Sequence, residues 1–301
     1  MVLKVAWSPQ YNHPLPQNHR FPMEKYDLLP RLLIQEGIIN PDDLFDPDFI
    51  DHSIITLTHS DGYLHQLLEL TLSKKMIRES GFPLSKSLID REIKILSGTV
   101  QCTEFAFNDG VSLNIAGGTH HAFKDRPEGF CLLNDQAVAA HYLLENEKVE
   151  RILIIDLDVH QGNGTASIFQ SEPRVFTFSM HGERNYPFRK QVSDLDVSFD
   201  DGIKDEQYLE VLSEKLEMLK SFNPDFIFYQ AGTDVLDSDK LGRLSLTLDG
   251  CAKRDEIVFD FARQQNTPIV VCMGGGYSED VSLIVEAHAN TFKKALKKLI
   301  R

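Results

Sequence analysis

Residues 151–164 bring together side chains of the types that bind metal ions. Asp156, Asp158 and His160 follow an apolar run at intervals of two residues, and two glycines then end the run. If the chain stays extended, this period places all three side chains on one side. Carboxylates are expensive to bury unless they are paired or bound to a cation, and an aspartate with a histidine suits a divalent metal. The motif alone is equally compatible with an acidic turn that caps the next helix.

Asp158, His160 and the distant Asp234 are the candidate ligands of one catalytic zinc ion. Two carboxylates and one imidazole leave one position of a tetrahedral zinc ion open for water or substrate. Zinc in such a site lowers the pKa of bound water to roughly 7 and polarises a carbonyl group. This donor set therefore indicates hydrolytic chemistry.

His120 and His121 are adjacent imidazoles available as a base for the water. We expect Asp156, outside the metal ligands, to orient one imidazole and Asn163 to hydrogen-bond the other without adding charge, which would separate their pKa values. Tyr277 follows three glycines and is expected to donate its hydroxyl to a developing oxyanion. Each feature has a structural alternative, a hydrogen-bonded turn for the histidines and a packed core side chain for the tyrosine. Together they predict metal-assisted amide hydrolysis.

The elements predicted around these side chains alternate between strands and helices. The predicted strands cover residues 2–7, 112–116, 152–157, 175–179, 226–229 and 268–272, and the predicted helices cover residues 132–145, 165–170, 205–222, 254–264 and 280–300. This alternation predicts an α/β fold, with a parallel sheet and helices on both faces. Working groups in such sheets gather beyond the carboxyl ends of the strands. Four predicted strands end in glycines beside the candidate residues, which predicts one shared site.

The composition is that of an ordinary globular protein, with 42% hydrophobic and 25% charged residues. No linker, charge block or repeat divides the 301 residues, so we predict one domain over residues 1–301. The formal net charge of -14 disfavours nonspecific binding to nucleic acid or anionic membrane. The four cysteines lack C-x-x-C spacing, and no apolar run approaches the roughly 18 residues of a membrane span. We therefore expect a soluble cytoplasmic protein with reduced thiols.

Five motifs at these positions resemble the zinc-dependent histone deacetylase family, which also includes acetylpolyamine amidohydrolases. They run in the family's order over roughly residues 95–280: Gly-Gly-Thr-His-His-Ala (117–122), Glu-Gly-Phe-Cys (128–131), Asp-Leu-Asp-Val-His-Gln-Gly-Asn-Gly (156–164), Gln-Ala-Gly-Thr-Asp (230–234) with Leu-Gly-Arg-Leu-Ser (241–245), and Gly-Gly-Gly-Tyr (274–277). The His-Gln-Gly-Asn-Gly form and the Asp-x-Leu-Gly-x-Leu-Ser segment look most like the class IV branch and its bacterial relatives.

This resemblance implies a three-layer arginase/deacetylase α/β fold and a role for each matching residue. It implies one zinc ion on Asp158, His160 and Asp234, with Tyr277 polarising the carbonyl. It pairs His120 with Asp156 and places His121 near Asn163, where some relatives have a second aspartate. A structural potassium ion is expected on Asp156, Ser179 and Met180 with the backbone of Asp158 and His160. An acyl-lysine tunnel is expected to be lined by Gly129, Phe130, Tyr186, Leu241 and Gly275.

The predicted reaction is hydrolysis of an Nε-acyl-lysine amide in a protein or peptide, with no direct nucleic-acid or membrane partner. An acetylpolyamine amidohydrolase is the nearest alternative, because the acidic charge permits a small cationic substrate. A binuclear ureohydrolase would need carboxylates where Gln161 and Asn163 stand. A catalytically silent acyl-lysine reader would lack a ligand or the tyrosine, and neither is missing. The polar, Pro-rich loop of residues 8–22, which contains His13 and His19, is expected to lie at the surface.

Overall fold

A parallel β-sheet forms the centre of the computed structural model, which describes residues 3–300. Its strands are β1 (Lys4–Ala6), β2 (Leu44–Phe45), β3 (Val111–Asn114), β4 (Ile152–Asp156), β5 (Val175–Gly182), β6 (Leu195–Phe199), β7 (Phe226–Gln230) and β8 (Ile269–Cys272). Within residues 3–300 these eight strands form one sheet in the order β2-β1-β3-β8-β7-β4-β5-β6. Every neighbouring pair is parallel, so all carboxyl ends meet at one edge.

Helices flank this sheet. They are α1 (Lys25–Gln35), α2 (His52–Ile55), α3 (Asp61–Leu68), α4 (Lys74–Ser80), α5 (Lys86–Asp109), α6 (Asp135–Glu145), α7 (Asn163–Phe169), α8 (Asp205–Leu219), α9 (Leu248–Gln265) and α10 (Val281–Leu299). The predicted α/β fold with a parallel sheet flanked by helices is thereby confirmed. Within the described chain, no helix is both long and apolar enough to cross a bilayer.

The four strands that carry the candidate site are neighbours at the middle of the sheet. Strand β8 pairs with β3 on one side and with β7 on the other, and β7 also pairs with β4. Every residue of these four strands is buried. Because parallel strands point the same way, the loops that follow them meet above the same edge, where ligands bind in open α/β sheets.

The observed helices begin where a side chain caps the first turn, and not always where the apolar pattern begins. Helix α9 begins at Leu248, six residues before the predicted start, because the Thr247 hydroxyl caps it by accepting the Gly250 N–H at 2.9 Å. Helix α10 begins at Val281, after Asp280, whose carboxylate accepts the N–H of Ser282. The first strand is shorter than predicted, and Val2 lies outside the described residues.

Two elements have no clear sequence pattern. Helix α5 is the longest in residues 3–300, yet Arg91, Glu92 and Lys94 are buried in it and interrupt its apolar stripe. Its ends are nevertheless defined, by the Ser85 hydroxyl at the start and by Gly110 in the left-handed conformation at the end. Strand β6 lies at the sheet edge and alternates with polar residues, so it lacks the apolar run that marks the central strands.

Candidate metal centre and active site

Asp158, His160 and Asp234 converge at the carboxyl ends of β4 and β7. Their ligand atoms all lie within 4.8 Å of one another, and all three side chains are buried. His160 Nδ1 is 3.0 Å from an Asp158 oxygen and 3.1 Å from an Asp234 oxygen. Two carboxylates and one imidazole at this separation match the ligand number and type of a catalytic zinc site. The residues present therefore fit the metal that the sequence predicts.

The electrostatics of these three residues favour a bound cation. Burial and the neighbouring charge of Asp158 raise the pKa of Asp234 to about 7. Two adjacent carboxylates repel each other in a buried site, and a shared divalent ion removes that repulsion. The backbone N–H of Gly275 donates to Asp158 at 2.9 Å and that of Val159 donates to Asp234 at 2.9 Å, which fixes both carboxylates.

The chain leaves the extended conformation immediately after Asp156. Strand β4 ends there, and the next residues bend, so the period of two does not place the three side chains as expected. Instead the Asp156 carboxylate accepts the Asp158 N–H at 3.2 Å, and the Asp158 carboxylate accepts the His160 N–H at 3.0 Å. These two turns direct Asp158 and His160 to Asp234 and leave Asp156 facing elsewhere.

The paired histidines lie on a turn that two glycines and a buried aspartate shape. Gly117 and Gly118 both have a φ of 78°, a conformation that few other residues adopt at low cost. The Asp135 carboxylate accepts the N–H of Gly118 at 2.9 Å, which fixes the turn. The two imidazole rings consequently lie side by side, with centroids 4.1 Å apart. The role of Asp135 could not be predicted, because nothing in its local sequence connects it to residues 117–119.

Each imidazole has a different hydrogen-bond partner. His120 Nδ1 is 2.7 Å from Asp156, and His121 Nδ1 is 2.7 Å from Asn163 Oδ1. Burial alone lowers the pKa of His120, but Asp156 and Asp158 outweigh it and raise that pKa to about 9. Burial, followed by the nearby charges of His120 and His160, lowers the pKa of His121 well below its usual value. At neutral pH His120 is therefore charged and His121 is neutral.

Glu128 connects Asn163 to the wall of the site. Its carboxylate accepts from the Asn163 amide at 2.8 Å and from the Tyr186 hydroxyl at 2.6 Å. With the amide nitrogen facing this carboxylate, the Asn163 oxygen must face His121, which therefore carries its proton on Nδ1. The lone pair on His121 Nε2 is left for chemistry. Glu128 belongs to a recognised motif, but the sequence alone did not indicate this role.

Tyr277 lies beside the candidate metal ligands and lines the cleft together with Tyr186. Its ring centroid is 6.4 Å from that of His160, and the His121 ring is 5.9 Å from His160. Burial, followed by the charges of Asp234 and Asp158, raises the pKa of the Tyr277 hydroxyl well above its usual value. Tyr277 therefore keeps its proton and can donate it in a hydrogen bond.

A cleft of about 560 Å³ leads down to His160 and Tyr277. Four of the five predicted tunnel residues line it: Gly129, Phe130, Tyr186 and Leu241. The fifth, Gly275, lines a smaller inner cavity of about 40 Å³ instead. A Cβ atom on Gly275 would lie 2.0 Å from Asp234, so this glycine is needed for close approach to the metal ligands.

The residues predicted to hold potassium lie on the neighbouring strands β4 and β5. Ser179 pairs with Asp156 across β4 and β5, and both Ser179 and Met180 are buried. The Ser179 hydroxyl is 3.0 Å from His181 Nδ1. Potassium binding at this position stays a prediction.

The polar loop that contains His13 and His19 packs beside the cleft. His19 Nε2 is 2.9 Å from the Gly81 carbonyl oxygen, and its ring stacks on Phe82 at 5.6 Å. His13 is also buried. Both histidines thus have structural surroundings, and neither lies in the metal cluster.

Comparison with known proteins assigns the chain to a family. The model of the histone deacetylase domain matches residues 19–292. The chain belongs to the histone deacetylase family. Among curated relatives, histone deacetylase 2 of Arabidopsis thaliana is 30% identical over 277 residues, covering 89% of this chain and 72% of that protein. An uncharacterized protein of Picosynechococcus sp. is 40% identical over 290 residues, covering 96% of this chain and 97% of the relative.

Solved structures agree with this histone deacetylase assignment. An HDAC homolog from Aquifex aeolicus matches with a TM-score of 0.83 and 28% identity, over 98% of this chain and 83% of its own. An HDAC homolog complexed with SAHA matches to the same extent. The chain is thus a histone deacetylase-family hydrolase. Its buried cluster of two aspartates and one histidine is consistent with the metal site of this zinc-dependent family.

Proposed function

We propose that this deacetylase-family chain hydrolyses the amide of Nε-acyl-lysine in proteins or peptides, with one zinc ion held by Asp158, His160 and Asp234. The observation that carries this proposal is the convergence of the three candidate ligands with His121 and Tyr277 beside the cleft that reaches His160 and Tyr277. The cleft suits an extended apolar stem, because Phe130, Tyr186 and Leu241 line it. The class IV resemblance extends the proposal to acyl groups longer than acetyl.

Zinc, when bound, would polarise the substrate carbonyl and make the attacking water more acidic. His121 accepts a proton from this water at Nε2, because its Nδ1–H is engaged by Asn163. The water oxygen bonds to the carbonyl carbon while the Tyr277 hydroxyl donates a hydrogen bond to the developing oxyanion. The bond from carbon to the lysine nitrogen then breaks, and His121 returns its proton to that nitrogen. His120 stays charged beside Asp156 and stabilises the negative charge.

The proposal is tested with purified protein, zinc analysis and lysine peptides that carry acyl groups from acetyl to myristoyl. We expect one zinc ion per chain and release of free lysine peptide. The Asp234→Ala variant should lose both zinc and turnover. Asp237→Ala is the control, because Asp237 is an exposed aspartate three residues further along the same loop, and this variant should keep both zinc and turnover. Full zinc occupancy in Asp234→Ala would overturn the ligand assignment. No hydrolysis of any acyl-lysine peptide by the zinc-loaded protein would overturn the proposed reaction.

Measurements on the same purified protein distinguish the proposed reaction from those of an acetylpolyamine amidohydrolase and a ureohydrolase. Turnover of acetylspermidine above that of an acetyl-lysine peptide would favour the first. Two manganese ions per chain would favour the second. Against the second, the Gln161 side chain is committed to Asp196 and to the Gln191 backbone, so it faces away from the metal ligands.

A further inference from the structure

Four arginines surround the mouth of the cleft. Arg20, Arg78, Arg184 and Arg243 line it, whereas Glu79 is the one carboxylate among its lining residues in the described chain. The whole chain has a formal net charge of -14. The mouth thus has the opposite sign of charge from the rest of the protein.

The arginines stand on both walls of the cleft. The Arg20 guanidinium lies 4.9 Å above the Phe130 ring, and Arg78 lies on helix α4, whose last residues hydrogen-bond to the Gly129 and Phe130 backbone. The other wall contains Arg243, two residues after Leu241, and Arg184, whose neighbour Asn185 donates its side-chain amide to the Leu241 carbonyl oxygen at 2.7 Å. A ligand whose stem enters between these walls meets positive charge on either side of the opening.

Little of this charge is neutralised by the protein itself. Arg184 and Arg243 share a single carboxylate, that of Asp201, at 3.8 and 3.2 Å. In residues 3–300, neither Arg20 nor Arg78 forms an ion pair, and Glu79 instead faces Lys75 at 3.7 Å. Guanidinium groups left free at a binding site suit carboxylates, which they bind through two parallel hydrogen bonds.

We infer that the mouth selects acyl-lysine segments flanked by acidic residues and rejects polycationic substrates. This inference rests on the proposed function, because it places the acyl-lysine stem in the cleft and the flanking residues at its mouth. Aspartate or glutamate on both sides of the lysine would meet the arginines of both walls. A polyamine or a lysine-rich segment would bring like charges together at the same place, which opposes binding.

The test compares three acetyl-lysine peptides of equal length whose flanking residues are acidic, alanine or lysine, together with free Nε-acetyl-lysine and acetylspermidine. We expect the highest kcat/KM for the acidic peptide and the lowest for the lysine-rich peptide and acetylspermidine. Raising salt from about 50 to about 500 mM should reduce the difference between the peptides, because the mouth is exposed to solvent. Free acetyl-lysine carries a carboxylate without a peptide, so it separates recognition of a small acid from recognition of flanking residues.

Variants of the mouth arginines test whether these side chains cause the preference for acidic peptides. Arg20→Gln and Arg78→Gln should each reduce the ratio of kcat/KM for the acidic to the alanine peptide by roughly two- to fivefold, and the double variant should reduce it further, leaving only the contribution of Arg184 and Arg243. Arg31→Gln is the matched control, since Arg31 is an exposed helical arginine away from the cleft, and its ratio should equal that of the wild type. An unchanged ratio in the double variant, or a wild-type preference for the lysine-rich peptide, would overturn the inference.

Binding measurements test this inference independently of whether the protein hydrolyses the peptides. Fluorescence anisotropy measures the affinity of the zinc-loaded protein for the labelled acidic and lysine-rich peptides without any turnover. If no peptide is hydrolysed, the proposed function fails, while tighter binding of the acidic peptide that depends on Arg20 and Arg78 still supports the inference. Equal affinities for the two peptides would contradict it whether or not hydrolysis occurs.

Discussion

A hydrogen bond to the backbone N–H of Tyr277 positions this residue, so its hydroxyl is available to a substrate. The Asp239 carboxylate accepts the Tyr277 N–H at 2.6 Å and also accepts the N–H of Leu241 and of Gly242, so one side chain joins the tyrosine loop to the cleft wall. The ring is thereby positioned without using the hydroxyl. This arrangement makes Tyr277 a well-defined place to separate metal binding from turnover.

Replacing Tyr277 by phenylalanine should reduce kcat by about 100- to 1000-fold, the usual effect of removing one oxyanion donor. Zinc content should not change, because the tyrosine supplies no ligand. Steady-state kinetics and metal analysis on the same preparation make the measurement, with Tyr142→Phe on the half-buried face of α6 as the control. Turnover within a few fold of the wild type would show that the hydroxyl does not assist the reaction.

Asn163 pairs with the second imidazole without adding a charge, and burial keeps the pKa of His121 low. An Asn163→Asp variant should raise the pKa of His121, because a carboxylate favours the charged imidazole where the amide does not. A base must be neutral to accept a proton, so the acidic limb of the profile of kcat/KM against pH should move to higher pH. The exposed Asn146→Asp change on the far end of α6 serves as the control. An acidic limb that stays in place would argue against His121 as the base.

At the scale of elements, the central strands and the loops after them could be predicted from the sequence. The side chains that hydrogen-bond to these loops and hold them in place could not. Strands β4, β7 and β8 are continuous apolar runs, and the site residues follow them directly. Asp135, Glu128 and Asp239 act through contacts 16 to 38 residues away along the chain, and no spacing rule connects such pairs. The mouth arginines come from separate loops and helices, so only the fold brings them together.

His59 links the loop before α3 to the start of α6. It is buried, and its Nε2 accepts the Asn134 N–H at 2.9 Å while its Nδ1–H donates to the Phe123 carbonyl oxygen at 3.0 Å. The contact with Asn134 needs the neutral ring, because a protonated Nε2 cannot accept a hydrogen bond. Burial lowers the pKa of His59 to about 4, far below its value in an unfolded chain.

This shift should make stability depend on pH. As the pH falls from about 6.5 to about 4, the unfolded chain binds a proton at residue 59 and the folded chain does not, so the free energy of unfolding falls by up to about 3 kcal/mol. Urea unfolding of the wild type and of His59→Gln between these pH values measures the contribution, which the variant should lack. His65→Gln, at an exposed position on α3, should retain the wild-type slope. Identical slopes in wild type and His59→Gln would refute the assignment.

At the scale of the whole molecule, the metal should stabilise the fold. The three ligands lie on loops that follow β4 and β7 and come together only in the folded chain, so the ion binds the native state far better than the unfolded one. Removing zinc with a chelator should lower the thermal midpoint by about 6 °C, if the ion is present at roughly a thousand times its dissociation constant. Scanning calorimetry with and without chelator makes the comparison. The Asp234→Ala variant should show almost no response, and an equal response in that variant would point to a different binding site.

The position of β8 in the sheet has a consequence for how the chain is made. It is the last strand in residues 3–300, yet it lies between β3 and β7. A nascent chain that stops short of residue 269 lacks the strand that joins the edges of β3 and β7, so the histidine pair after β3 is not yet connected through the sheet to the candidate metal ligands after β4 and β7. The same strand that closes this seam delivers Tyr277 directly after it, so assembly of the sheet and completion of the site are one event.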